Sequence, residues 1–135
     1  MAELKARPES GLHPARAQAV GHNEHDAELT IDGPTVAIVG DVYATRDDAD
    51  RVLAFYETEL PKHDYIRDDG DLSNIRTTVE TTVRVWRKGN VVARVAIYRS
   101  GDPRLPALPP DMTDGTLFEL ALVAKAPDRY SARPS

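Results

Sequence analysis

The fold is decided by one stretch, residues 45–61, which reads TRDDADRVLAFYETELP. Its large apolar residues recur at the three- and four-residue spacing of one helix face, and its early aspartates suit the positive end of a helix. Thr45 is predicted to cap this helix, with Asp48 completing a capping box, and Pro61 is predicted to end it. The stretch therefore predicts one short amphipathic helix with a face built for burial.

Runs of alternating apolar residues before and after this helix predict a sheet. They lie at residues 35–44, 77–86, 91–99 and 117–125. Lys88-Gly89-Asn90 is typical of a tight turn, so the second and third runs form a hairpin, and Tyr65 and Ile66 suggest one further short strand. The predicted fold is α+β and two-layered. It has an antiparallel sheet of about four strands, one helix packed on one face, and the order β-α-β-β-β.

The domain organisation follows from where the apolar patterns begin and end. Residues 34–126 are predicted to form a single domain, because a chain of 135 residues has room for one core. Residues 1–33 contain few large apolar side chains and are predicted to be a flexible N-terminal arm, with a short helix suggested at residues 14–20. Residues 127–135 are predicted to be a flexible tail, and residues 101–115, which hold four prolines, a long loop.

Composition excludes several classes of protein. Without cysteine the chain has no disulfide, no thiolate nucleophile and no cysteine-bound zinc. The net charge of −5 argues against nucleic acid as a partner, and no apolar run is long enough to span a membrane. No cofactor is predicted. The N-terminal sequence lacks the apolar run of a secretory signal, which favours a cytoplasmic location.

Two short motifs resemble those of a known group of proteins. The helix carries Phe-Tyr-x-x-x-Leu at residues 55–60, and the hairpin carries Trp-x-Lys-Gly at residues 86–89. This combination resembles small, largely uncharacterised bacterial α+β domains that often occur in envelope lipoproteins. The resemblance implies the same fold and, as the alternative location, the cell envelope. The chain departs from that pattern at residues 61–65, where a Gly-Trp pair is typical.

A basic and aromatic surface is the main functional expectation. Residues 75–101 hold six basic residues and one acidic residue, whereas the whole chain is acidic. Alternation along the hairpin is interpreted as projecting one set of side chains together from the outer sheet face. The set consists of Arg84, Trp86, Arg87, Arg94 and Tyr98. These residues predict a protein-interaction or accessory module that binds a protein partner or a second copy of itself.

Two other functions are kept as alternatives. The first is a small-molecule binding domain or enzyme with a pocket between helix and sheet, where Tyr56, His63 and Tyr65 supply the polar groups. The second is a toxin-neutralising protein that presents the acidic residues 34–74 to a basic partner. No catalytic residue is assigned, and an enzyme is the less expected outcome.

Three acidic or histidine-containing clusters receive structural interpretations. Residues 22–26, His-Asn-Glu-His-Asp, lack the spacing of a helical zinc motif and are interpreted as a solvated part of the arm. Residues 68–71, Asp-Asp-Gly-Asp, lack the alternating ligands of a calcium loop and are interpreted as a solvated turn. Asp47 and Asp48 are assigned to the start of the helix rather than to acid–base chemistry. No metal ligand is therefore predicted.

Overall fold

The structure is a computed structural model that describes residues 7–25, 29–30, 33–34, 37–68, 80–89, 91–99, 105, 108–112 and 115–124. The predicted tail lies outside these residues. The described strands are β1 (Gln18–His25), β2 (Leu29–Thr30), β3 (Gly33–Pro34), β4 (Ala37–Thr45), β5 (Ile66–Arg67), β6 (Glu80–Lys88), β7 (Val91–Tyr98) and β8 (Thr116–Ala124). One α-helix, α1 (Ala49–Glu59), follows β4. Short 3₁₀ turns occur at Pro8–Gly11, Leu60–His63 and Pro110–Met112.

Six of the described strands form one antiparallel sheet in the order β1-β4-β8-β7-β6-β5, while β2 and β3 pair separately. The α+β class and the antiparallel sheet are confirmed, but the prediction of about four strands is too low. The four predicted strands correspond to β4, β6, β7 and β8. β5 corresponds to the further short strand suggested at Tyr65 and Ile66, whereas β1 was not predicted. Both lie at the ends of the sheet, where each pairs with a single neighbouring strand.

The helix begins three residues later than predicted. Asp48, not Thr45, is the N-cap, because its Oδ1 accepts a hydrogen bond of 2.9 Å from the backbone N–H of Arg51. Thr45 is instead the last residue of β4. The α-helix ends at Glu59, and Pro61 lies within the 3₁₀ turn that follows it, where its missing N–H costs no hydrogen bond.

The sheet has a helix face, which carries α1, and an opposite face, here called the second face. On the helix face, Val52, Leu53 and Tyr56 of α1 pack into one core with the sheet. The ring of Tyr56 meets Phe118 of β8 edge to face, with centroids 6.1 Å apart. Each fully buried large apolar side chain contributes about 1.5–3 kcal/mol, so this core outweighs the weak intrinsic stability of so short a helix.

The second face of the sheet is also largely apolar and buried. Val83, Val85, Val92 and Ala96 form one cluster near β6 and β7. A second cluster centred on β4 and β8 is covered by side chains from the predicted proline-rich loop, including Leu105, Leu108 and Met112. β4 is therefore a central strand with both faces covered.

The structure differs from the sequence-based prediction at the N-terminal arm. Gln18–His25 forms the edge strand β1 and pairs with β4, so the helix suggested at residues 14–20 is wrong. Residues 7–17, here called the N-terminal segment, lie on the helix face, where Leu12 and Ala17 pack against the core. Pairing with β4 compensates for the weak apolar pattern of β1. The pairing provides hydrogen bonds for the backbone N–H and C=O groups of β1 and does not require a buried side chain at every second position.

Candidate functional site

The five residues of the predicted interaction surface do not lie on one face of the sheet. Trp86 points to the helix face and is 2% exposed, and Arg84, two residues before it, shares that face. Arg87, Arg94 and Tyr98 lie on the second face. The single outer face that the sequence analysis expected is therefore not formed.

Strand register explains this correction. The turn leaves Lys88 opposite Val91 and Trp86 opposite Ala93, so even-numbered residues of β6 share a face with odd-numbered residues of β7. Arg84 and Trp86 of β6 therefore lie on the opposite face from Arg94 and Tyr98 of β7. Both faces of β6 are covered, and its largest side chain, Trp86, lies against the helix-side core.

Arg94 and Tyr98 belong to a polar network on the second face. Arg94 donates to both carboxylate oxygens of Glu80, at 2.7 and 2.8 Å, and Glu80 is only 5% exposed. Burial lowers the pKa of Arg94, but these hydrogen bonds and the charge of Glu80 outweigh it and raise the pKa above its ordinary value. Glu80 thus neutralises the charge of the Arg94 guanidinium and fixes this side chain in place on the second face.

Glu119 forms the other half of this network. Its carboxylate accepts hydrogen bonds from the Tyr98 hydroxyl, at 3.1 Å, and from the Asn23 side-chain amide, at 3.2 Å. Burial raises the pKa of Tyr98, so this hydroxyl remains a proton donor. A side chain at Gly40 would place its Cβ 3.2 Å from Glu119 Oε2, which indicates that glycine leaves room for the carboxylate beside β4. The network ties the edge strand β1 to the sheet interior.

A basic and aromatic cluster does exist, but at the β5 end of the sheet. We call it the hairpin edge and define it as Ile66, Arg67, Trp86, Arg87 and Lys88. The Arg67 guanidinium lies over the Trp86 ring, 5.4 Å from its centroid, and Arg87 Nε donates to Asp68 at 2.8 Å. The Lys88 ammonium lies 5.9 Å from the centroid of Tyr65. Ile66 is 75% exposed beside these cations.

The polar groups proposed for the helix-to-sheet pocket lie close to the N-terminal segment. The Tyr56 hydroxyl donates to the Leu12 carbonyl at 2.8 Å, and the Tyr65 hydroxyl donates to Glu9 Oε2 at 2.9 Å. His63, the third group, lies in the 3₁₀ turn before Tyr65. Burial raises the pKa of both tyrosines, so both hydroxyls serve as donors. The hydroxyls of Tyr56 and Tyr65 are therefore both bound to the protein's own N-terminal segment.

His22 joins two carboxylates at the β1 edge of the sheet. Its Nδ1 lies 2.5 Å from Asp41 Oδ1, and its Nε2 lies 2.7 Å from Glu24 Oε2. Hydrogen bonds to Asp41 and then to Glu24 raise the pKa of His22 above its ordinary value. The described residues contain no group of three or more histidine, aspartate and glutamate side chains arranged to hold a metal ion. The charge-assisted hydrogen bond between His22 and Asp41 joins β1 to β4.

The remaining acidic candidates have structural roles or lie outside the described chain. Asp48 caps α1, as described above, and Asp47 lies in the turn between β4 and α1. Asp68 pairs with Arg87, whereas residues 69–71 of the predicted turn lie outside the described residues. The described carboxylates in these positions thus bind neighbouring groups of the protein.

Sequence reasoning missed Glu9, Asp41 and Glu119. Each acidic residue meets its partner from a distant part of the chain, as when Glu9 meets Tyr65. Glu119 alone had a signal in the sequence. It is the lone acidic residue of the otherwise apolar β8 and interrupts a run that is buried on both faces. Glu9 has no comparable local signal.

Comparisons of the chain with protein families, with curated proteins and with solved structures find no match. The resemblance to bacterial envelope domains, the cellular location and the toxin-neutralising alternative all stay predictions. In the part of the chain that the structure describes, no helix is long and apolar enough to cross a membrane.

Proposed function

We propose that this protein is a protein-interaction module that contacts its partner through the hairpin edge. The observation that carries the proposal is Ile66, which is 75% exposed and is the only exposed large hydrophobic side chain among the described residues. A buried isoleucine contributes about 1.5–3 kcal/mol, so a partner that covers Ile66 gains free energy that the isolated chain does not use.

The surroundings of Ile66 favour a protein partner. Arg67 and Arg87 are already oriented, one over Trp86 and the other by Asp68, so their ordering costs little on binding. Arginine and large apolar side chains supply much of the binding energy at the centres of protein interfaces. The proposal therefore keeps the function expected from the sequence but moves its contact surface to the hairpin edge.

The geometry of β5 suggests the chemistry of the partner segment. Ile66 pairs with Arg87 on the second face, and Arg67 pairs with Trp86 on the helix face. An extended partner segment alongside β5 projects alternate side chains to these two faces. We therefore expect a segment in which an apolar residue, set against Ile66, is adjacent to an acidic residue that joins Glu57 at Arg67.

The test compares capture of partners by three forms of the full chain. Ile66→Asp removes the apolar contact, and Thr58→Asp places the same charge at an exposed position of α1 as the matched control. Capture from a lysate of the source organism is quantified by mass spectrometry, and sedimentation velocity reports self-association. We expect Ile66→Asp to lose a specific partner, or a dimer, that wild type and Thr58→Asp retain. Equal capture and equal mass for all three forms contradict the proposal.

A further inference from the structure

The N-terminal segment binds the helix face as a peptide ligand binds a groove. Glu9 and Pro14 are buried, and the half-buried Leu12 packs against the helix-face core, whereas Pro8, Gly11 and His13 are exposed. Glu9 and Leu12 are spaced three apart, which places them on one side of a single turn. This pattern of a few anchors with exposed residues between them is typical of a bound peptide.

The groups that receive these anchors come from elsewhere in the chain. Tyr56 of α1 binds the backbone carbonyl of Leu12 at 2.8 Å, and Tyr65 binds the Glu9 carboxylate at 2.9 Å. Lys88 of β6 adds a positive charge near this carboxylate. A backbone contact and a charged contact together fix the position and the direction of the segment.

The site receives Glu9 as a charged carboxylate. Burial by itself raises the pKa of Glu9, but hydrogen bonds from its own backbone and from Tyr65, with the charges of Arg7 and Lys88, hold the pKa below its ordinary value. A purely structural apolar core has no need for such a charged contact, and aliphatic residues fill cores at lower desolvation cost. The arrangement therefore selects for an acidic residue.

The shape of the segment is set mainly by its own hydrogen bonds. Ser10 donates to the Arg7 carbonyl at 3.0 Å and Leu12 to the Glu9 carbonyl at 3.1 Å, which forms the 3₁₀ turn Pro8–Gly11. Because these bonds lie within the segment, the same turn can form in a separate peptide that carries the same residues.

We infer that this groove is a binding site for an acidic turn peptide of the form Glu-x-x-Leu, and that residues 7–17 fill it as an intramolecular ligand. This inference goes beyond the proposed function, because the groove shares only Lys88 with the hairpin edge, and Tyr56 and Tyr65, which bind the segment, lie outside that edge. A covalently attached ligand has an effective concentration of about millimolar, so an external peptide binds well only when the attached one is weakened.

The test uses the full chain and a fluorescein-labelled peptide of residues 7–17. Glu9→Gln together with Leu12→Ala weakens the attached segment and leaves the groove unchanged. Fluorescence anisotropy is expected to show binding of the peptide to this variant at least about tenfold tighter than to wild type. A peptide with the Glu9→Gln change is expected to bind the variant about tenfold more weakly, because it lacks the charge-assisted hydrogen bond. A folded variant that binds neither peptide overturns the inference.

Hydrogen exchange of the wild-type protein keeps the test decisive if that variant does not fold. The Leu12 and Ala17 amides are expected to exchange at least about tenfold faster than the amides of β7 and β8, which open only with the whole fold. Tyr65→Phe is expected to increase the exchange rates of the Leu12 and Ala17 amides further. The ratio of the exchange rates of the β7 and β8 amides is expected to stay unchanged. Exchange of Leu12 and Ala17 as slow as that of β7 shows that the segment is part of the core and overturns the inference.

Discussion

The β6–β7 hairpin and the N-terminal region, residues 7–25, belong to the same fold but are held by different forces. Side chains of the hairpin, such as Trp86 and Val95, are buried in continuous apolar clusters. The N-terminal region packs only a few small or half-buried side chains and is attached in addition by strand pairing and by polar contacts, among them Glu9 to Tyr65 and His22 to Asp41. Apolar packing is strong and visible as a local pattern, whereas polar attachment depends on partners far along the chain.

If the hairpin carries the main core, its largest buried side chain should have the largest effect. Trp86→Ala is expected to destabilise the protein by about 3–5 kcal/mol, because it leaves a cavity where a fully packed indole lies. Urea denaturation followed by far-UV circular dichroism measures this loss. Ile66→Ala at the same edge is the control and is expected to have little effect. A loss below about 1 kcal/mol for Trp86→Ala contradicts the placement of this ring in the core.

The attachment of the N-terminal region should depend more on the charged contact than on the neutral one. Tyr65→Phe is expected to cost about 1–3 kcal/mol, because it removes the donor to the buried Glu9 carboxylate. Tyr56→Phe removes a hydrogen bond to the neutral Leu12 carbonyl and is expected to cost about 1 kcal/mol. Urea midpoints of the two variants compare them directly. A larger loss of stability for Tyr56→Phe than for Tyr65→Phe contradicts the expectation that the charged contact matters more.

Acid should weaken the N-terminal region through Glu9. The pKa of Glu9 is lowered on folding, so its contribution to stability is present above the ordinary value of 4.5 and is lost as the pH falls through the lowered pKa. The difference in free energy of unfolding between wild type and Glu9→Gln is therefore expected to shrink as the pH falls below 4.5. Urea titrations at a series of acidic pH values measure this difference in free energy of unfolding. A difference that grows as the pH falls contradicts the lowered pKa of Glu9.

The smallest expected effect is at His22, which is 46% exposed. Its pKa is raised, so its contribution to stability is fully present below the ordinary value of 6.5 and is lost as the pH rises through the raised pKa. An NMR titration of wild type is expected to show a pKa above 6.5, and Asp41→Asn is expected to lower it towards 6.5. An unchanged His22 pKa in Asp41→Asn contradicts a direct contact between the two side chains.

The parts of the fold that could be predicted are those with strong local patterns. The helix was predicted from its apolar stripe and the hairpin from its alternation, although the cap moved from Thr45 to Asp48. The direction of Trp86 could not be predicted, because Val83 and Val85 mark one face of β6 as apolar, whereas Trp86 is buried on the opposite face, which also carries Arg84. Alternation identifies a strand but does not identify the buried face when both faces are covered.

The candidate site was predictable only in part for the same reason. The hairpin edge retains Trp86 and Arg87 from the predicted surface, whereas Arg94 and Tyr98 lie in a network completed by Glu80 and Glu119. Such networks join residues from several strands. A single sequence gives no local periodicity from which those partners could be inferred.

The position of Glu9 in the chain has a consequence for biosynthesis. Glu9 is made 56 residues before Tyr65, and Leu12 is made 44 residues before Tyr56. During translation the N-terminal segment therefore leaves the ribosome well before the groups that receive it exist. Contacts between such distant residues form slowly, so we expect the helix and hairpin to fold first and the segment to dock last. A nascent chain consequently passes through a stage in which residues 7–17 are available to a chaperone or protease.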